Sequence, residues 1–161
     1  MTQSAANAQL CDAIKARGKI YLAVFREVSK RYGQAEAIAV LRAASADHGR
    51  EVGRTLARHA PRDFAGMAED FAKSPDDGTL YAADIRQLDE TCLEVQMMAC
   101  PLRDSWFEAG CSDEEVQTLL YCASAYDEAT LETAGFDYEL ELWSPGKTGC
   151  CRTKITEKSK S

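Results

Sequence analysis

Across residues 1–75 apolar side chains return at three- and four-residue intervals, as in Ile20, Val24 and Val28, then Ala37, Ile38, Leu41 and Ala44, then Val52 and Leu56. That spacing is the period of an amphipathic helix, so a helical segment is expected there. Gly33 falls where a residue just past a helix C-terminus belongs, and Pro61 suits the first turn of a short third helix carrying Phe64, Met67 and Phe71. Gly49 and Gly53 stand one turn apart in the second helix. Each costs about 1 kcal/mol relative to alanine in a helix interior, which points to close packing against a neighbour. Residues 73–78, Lys-Ser-Pro-Asp-Asp-Gly, read as a loop.

The period then changes. Between Ala83 and Cys100, Ile85, Leu88, Leu93, Val95 and Met97 are set among polar residues around an Asp-Glu-Thr turn at 89–91, the pattern of a β-hairpin. Cys100-Pro101 marks the exit from the second strand, because proline suits the first turn of a helix and not a central ladder. A short helix over 101–109, closed by Gly110, follows. Ser112-Asp-Glu-Glu115 has the form of a capping box for a long helix running to about Thr133 and ended by Gly135. Phe136, Tyr138, Leu140 and Leu142 alternate with Asp137, Glu139 and Glu141, as in a half-buried strand. A turn at 144–149 leads to a returning strand over 150–156, and residues 157–161 form a frayed tail. The expected fold is α+β in a single domain of residues 1–161, with N-terminal helices packed on an antiparallel sheet of two hairpins and two intervening helices.

Composition narrows the function classes. The chain has 161 residues, of which 45% are hydrophobic and 28% charged, an ordinary globular balance. Nineteen basic and 26 acidic side chains leave a net charge of −7, which repels nucleic-acid backbones and anionic lipid surfaces. No secretory leader and no run approaching the ~18 apolar residues of a membrane span is present, so a cytoplasmic protein with no nucleic-acid or membrane partner is expected. An amphipathic first helix leaves room for a homo-oligomer. In a reducing compartment the seven cysteines are expected as thiols, whether packed, metal-bound or catalytic.

Cys100 draws attention first. A cysteine between a strand and a proline-started helix faces the positive end of the helix dipole, which favours the thiolate, although a buried thiol at a strand–helix corner has the same pattern. Cys122 and Asp127 share the long helix, but five residues turn it by about 500°, so their side chains diverge by about 140°. Successive strand residues face opposite ways, which turns Cys151 inward with Thr153 and Ile155 and leaves Cys150 exposed beside Arg152 and Lys154. No Cys-x-x-Cys is present, so a structural zinc site has little support. His48 would have to reach Cys100 from a distant element to form a Cys–His pair. His59, near the end of its helix, is accounted for by the dipole alone. Trp106, Trp143, Tyr121, Tyr126 and Tyr138 are aromatic candidates either for the core or for the wall of a pocket.

Cys100-Pro-Leu-Arg-Asp-Ser-Trp106, then Gly110, Cys122, Asp127, Gly146 and Cys151 in that order make residues 83–156 similar to the L-2-amino-thiazoline-4-carboxylic acid hydrolase family. The resemblance implies a small hydrolase that opens a C–N bond in a heterocyclic or amidine-type small-molecule substrate. Cys100 would then attack the ring carbon or hold a divalent metal that activates water, and Asp127 would act as acid or base. Cys122 and Trp106 would line the site, Arg103 or Arg152 would bind a substrate carboxylate, and Cys100, Cys122 and Cys151 would supply thiolates to any metal. The alternative is a module that binds a metal, a cluster or a small ligand through the same cysteines without turnover.

Overall fold

A computed structural model describes residues 3–74 and 77–159. Pro75 and Asp76 of the expected loop, and Lys160 and Ser161 of the expected tail, lie outside the described residues. Two long helices, α1 (Gln3–Tyr32) and α2 (Gln34–Leu56), meet at Gly33. There a φ of +93° lets the chain break after one helix and begin the next without a gap in hydrogen bonding. A 3₁₀ turn over Ala57–His59 follows, then α3 (Phe64–Met67) and a π turn over Ala68–Ala72. Pro61 lies ahead of α3 rather than in its first turn. The residue that starts α3 is Asp63, whose carboxylate accepts the Gly66 amide at 2.9 Å and so satisfies a free N–H that proline could not.

The sheet comprises β1 (Ala83–Leu88), β2 (Cys92–Met97), β3 (Phe136–Glu141) and β4 (Arg152–Glu157). Its spatial order is β1-β2-β4-β3 and every neighbouring pair is antiparallel, so two hairpins join through β2 and β4 with Val95 opposite Thr153. Asp89 closes the first hairpin by accepting the Thr91 and Cys92 amides. Between the hairpins run α4 (Pro101–Glu108) and α5 (Asp113–Ala134). The capping box at Ser112 and Glu115 is formed in full, and Gly135 ends α5 in the left-handed conformation.

The glycines of α2 serve packing. A Cβ on Gly49 would drive into the Tyr126 carbonyl oxygen of α5, and one on Gly53 would stand 2.5 Å from that of Thr130. Only a bare backbone lets the two helices approach so far, and the Thr130 hydroxyl uses the approach to donate to the Gly49 carbonyl at 3.1 Å.

Two hydrophobic clusters result. One, between the long helices and α4, includes Leu22, Phe25, Leu41, Trp106, Leu119 and Leu120. The other lies between the sheet and the helices, with Leu56, Phe64, Met67, Leu93, Leu131, Phe136 and Ile155. None of the described helices is long and apolar enough to cross a membrane.

Candidate functional site

Cys100 occupies the N-cap position of α4 with an extended backbone (φ −153°, ψ +101°), and Pro101 begins the helix. Its side chain is buried. The hydrogen bond from the Cys150 thiol is the main influence holding the Cys100 thiol below its ordinary range. The Arg103 amide and guanidinium act in the same direction, while burial opposes them. The same bond, with one to Cys151 and with burial, drives the Cys150 thiol far up, so the proton of the pair stays on Cys150. Cys150 Sγ lies 3.7 Å from Cys151 Sγ. Cys100 and Cys150 are buried and Cys151 is half-exposed.

Strand alternation does not place these residues. β4 begins only at Arg152, and Cys150 is the buried one, 4% exposed, contrary to its expected position on the outer face. The reason lies in the preceding turn. Gly149 has a φ of +80°, and a Cβ there would press at 3.0 Å on both the Gln96 amide and the Met97 carbonyl. With that approach allowed, the Cys150 amide donates to Met97 O at 2.7 Å and the Met97 amide donates to Cys151 O at 2.9 Å. Arg103 Nη1 donates to Gly149 O at 2.8 Å. The turn is thus fastened to β2 on one side and α4 on the other, and Cys150 is set against Cys100.

Asp127 lies on α5. It keeps a rim of exposed surface, yet burial of the carboxyl, helped by the Glu128 charge, pushes its pKa up to about 7. Tyr81, just before β1, connects the two candidates. Its hydroxyl is pushed up to about 12, first by burial, with the Cys100 and Asp127 charges adding to it and Arg17 opposing them through a hydrogen bond and its charge. Backbone bonds from Met98 to Ala82 and from Ala99 to Tyr81 hold this segment beside Cys100. Tyr126 feels the same pair, raised by burial and by Asp127 and lowered by Arg17. Tyr81 and Arg17 carry no local sequence signal, because each joins the site from an element remote in the chain.

Other expected site residues take different places. Trp106 is fully buried and donates its indole N–H to the Gly18 carbonyl at 2.8 Å, so it fastens α4 to α1 and is core rather than pocket wall. Cys122 is fully buried, its thiol pushed up to about 11 by desolvation. That is the opposite of Cys100, because Cys122 sits mid-helix with no amide aimed at it. Arg152 is occupied by Glu94 at 2.7 Å and Glu141 at 3.3 Å, which leaves its fork committed to carboxylates of the protein itself. Arg103 is half-buried beside Cys100, pairs with Asp104 at 3.0 Å and stands over the Trp143 ring.

Among the described residues no group of three or more His, Cys, Asp or Glu could hold a metal ion, so Cys100, Cys122 and Cys151 do not form the expected thiolate set. No Cys–His pair is formed either, since His48 is exposed beside the Tyr126 ring and near Glu51. His59 is buried with its two ring nitrogens 2.6 Å from Asp63 and 2.8 Å from Asp70, a structural bridge under α3 that dipole reasoning did not foresee.

The family model described as L-2-amino-thiazoline-4-carboxylic acid hydrolase matches residues 13–151, so the likeness takes in the N-terminal helices as well as the sheet. Curated proteins include no match to the chain. A crystal structure of a trafficking protein particle complex subunit 3 from Naegleria fowleri, covalently bound to palmitic acid, is similar at a TM-score of 0.59. It is 15% identical over 91% of this chain and 96% of that one, which establishes a shared fold.

Proposed function

This chain belongs to the L-2-amino-thiazoline-4-carboxylic acid hydrolase family, and on that premise we propose that it is a hydrolase opening a C–N bond of a cyclic, amidine-type substrate with Cys100 as nucleophile. The observation that carries the reading is the contrast among the buried thiols. Burial lifts Cys111 and Cys122, whereas Cys100 is drawn toward the thiolate by Cys150 and Arg103 at the start of a helix.

The chemistry follows from those roles. With the substrate entering as its amidinium, the Cys100 thiolate adds to the electron-poor carbon and the C=N π pair moves to the ring nitrogen. Asp127, which burial keeps partly protonated near neutrality, gives that nitrogen its proton. The C–N bond then breaks, the ring nitrogen leaves as an amine, and the carbon stays bound to Cys100. The Asp127 carboxylate takes a proton from water as its oxygen adds to the same carbon. Collapse of this adduct passes the hydroxyl proton to the released amine, breaks the bond between the carbon and Cys100 Sγ, returns the thiolate and leaves a carbonyl. One water is consumed in each turnover. Arg17, exposed at the rim and paired with Tyr81, is placed to meet a substrate carboxylate.

The test is ring opening of 2-amino-thiazoline-4-carboxylate, followed by release of the product, with wild type and Cys100→Ser. Wild type is expected to turn over, and the serine variant to keep its circular dichroism and lose turnover. A folded Cys100→Ser protein with wild-type turnover would overturn the nucleophile assignment.

A further inference from the structure

The hydrolytic reading places no reacting atom on Cys150 or Cys151, yet their sulfurs stand 3.7 Å apart where the turn before β4 ends. We propose that Cys150 and Cys151 form a dithiol clamp that captures a trivalent arsenical, a thiophilic centre with two exchangeable positions, between their sulfurs. The inference goes beyond the hydrolase reading, since the ligand is held by the protein and no ring is opened.

The backbone decides what the pair can hold. The Cys150 amide donates to Met97 O at 2.7 Å, and the Met97 amide donates to Cys151 O at 2.9 Å. Gln96 Nε2 adds a second donor to Cys151 O at 3.2 Å, and Arg103 Nη1 donates to Gly149 O at 2.8 Å. β2 and α4 thus fasten the peptide between the two cysteines. That peptide is trans, which sets the two Cα atoms about 3.8 Å apart. An unstrained disulfide needs about 4.4–6.8 Å, so closing a direct sulfur–sulfur bond would distort the anchored turn. A bridging atom asks for no such approach. It bonds to one sulfur on each side and spans the gap close to its existing width, and thiolate ligands select a soft acceptor.

Access and ligand number agree with this class. Cys151 is half-exposed and meets the arsenical first, and the buried Cys150 sulfur is then the neighbour of the tethered group. The second bond closes within one molecule, which favours it over capture by a free monothiol. Two protein sulfurs suffice, because the third bond of a monosubstituted arsenical goes to its own carbon. Among the described residues no three His, Cys, Asp or Glu are grouped to hold a metal ion, and a centre of this kind needs no third. The atoms balance without a redox step. From an organic arsenous acid, one hydroxyl leaves as water with the Cys151 proton as the first arsenic–sulfur bond forms. The other leaves as water with the Cys150 proton as the second forms, and arsenic stays trivalent throughout.

The experiment mixes reduced full-length protein with equimolar phenylarsine oxide and weighs the intact protein by native mass spectrometry. The expected product has one arsenical per chain and a mass gain equal to the oxide less one water. It is expected to survive excess glutathione and to be stripped by 2,3-dimercaptopropanol. Cys151→Ser and Cys151→Ala, each checked by circular dichroism, are expected to lose the glutathione-resistant adduct, whereas folded Cys100→Ser keeps it. The proposal is overturned if the native wild type forms no glutathione-resistant adduct, if the adduct persists without Cys151, or if folded Cys100→Ser loses it. None of these readouts needs a substrate, so an inactive hydrolase that still captures the arsenical would sink the proposed function alone.

Discussion

The two hydrophobic clusters are built from different materials. The one beneath the sheet, from Leu56 through Ile155, is hydrocarbon and aromatic packing with one thioether, Met67, and Phe64 and Phe136 stand 6.0 Å apart at its centre. The one between the long helices contains Cys100, Cys111, Cys122 and Cys150, with Tyr21, Tyr81 and Cys151 packed against it. Burial acts on both, but the buried thiols whose protonation it alters belong to the second, while at the edge of the first it raises the Tyr138 hydroxyl. In the first, removal from water yields stability. In the second the same removal raises Cys122, while local donors at Cys100 reverse the effect, so position within one core moves two buried thiols in opposite directions.

The comparison can be broken most sharply at Phe136. Phe136→Ala is expected to cost about 3–5 kcal/mol in urea unfolding while leaving the Cys100 alkylation rate of the folded protein unchanged. A change in that rate would mean that the clusters are one mechanical unit. Gly49→Ala, which pushes α2 off α5, is expected to cost about 1–3 kcal/mol and also to slow turnover, because α5 positions Asp127.

Asp127 tests the thiol-bearing side electrostatically. Its folded pKa is raised to about 7, so between the ordinary carboxylate value of 3.8 and that point the folded state holds a proton the unfolded state has released. Stability from this group is complete below that window and is lost as pH rises through it, by about 1–2 kcal/mol after allowance for its exposed rim. Denaturation midpoints across the window are expected to slope downward for wild type and to be flatter for Asp127→Asn, with equal slopes counting against the buried carboxyl. Cys122→Ala is expected to have the smallest effect, about 1 kcal/mol of stability and no loss of turnover. A large loss of turnover there would make that thiol a participant.

Much of the fold was legible because its determinants are local. The capping box at Ser112, the breaks at Gly33 and Gly135, and the hairpin turn at 89–91 each involve residues a few positions apart. Gly49 and Gly53 announced a close helix contact but not its partner, which lies about 77 residues further along at Tyr126 and Thr130. The position of Cys100 at the start of α4 was legible from the Pro101 that follows it. The ion pair of Arg152 was not legible, because nothing near it in sequence indicates that Glu94 comes to lie beside it across β2 and β4.

Sequence by itself determined the helical periods, the strand alternation, the caps and the candidacy of Cys100, since each rests on backbone geometry that repeats over a few residues. The tertiary structure decided which thiols meet and which carboxyl is dried. Cys150 is buried because the Gly149 turn is anchored to Met97 and Arg103, each more than forty residues away. Asp127 and Tyr81 feel one another only because α5 and the segment before β1 pass the same point. Proton affinity depends on everything within a few ångströms of an atom, and for these groups nearly all of it comes from elsewhere in the chain.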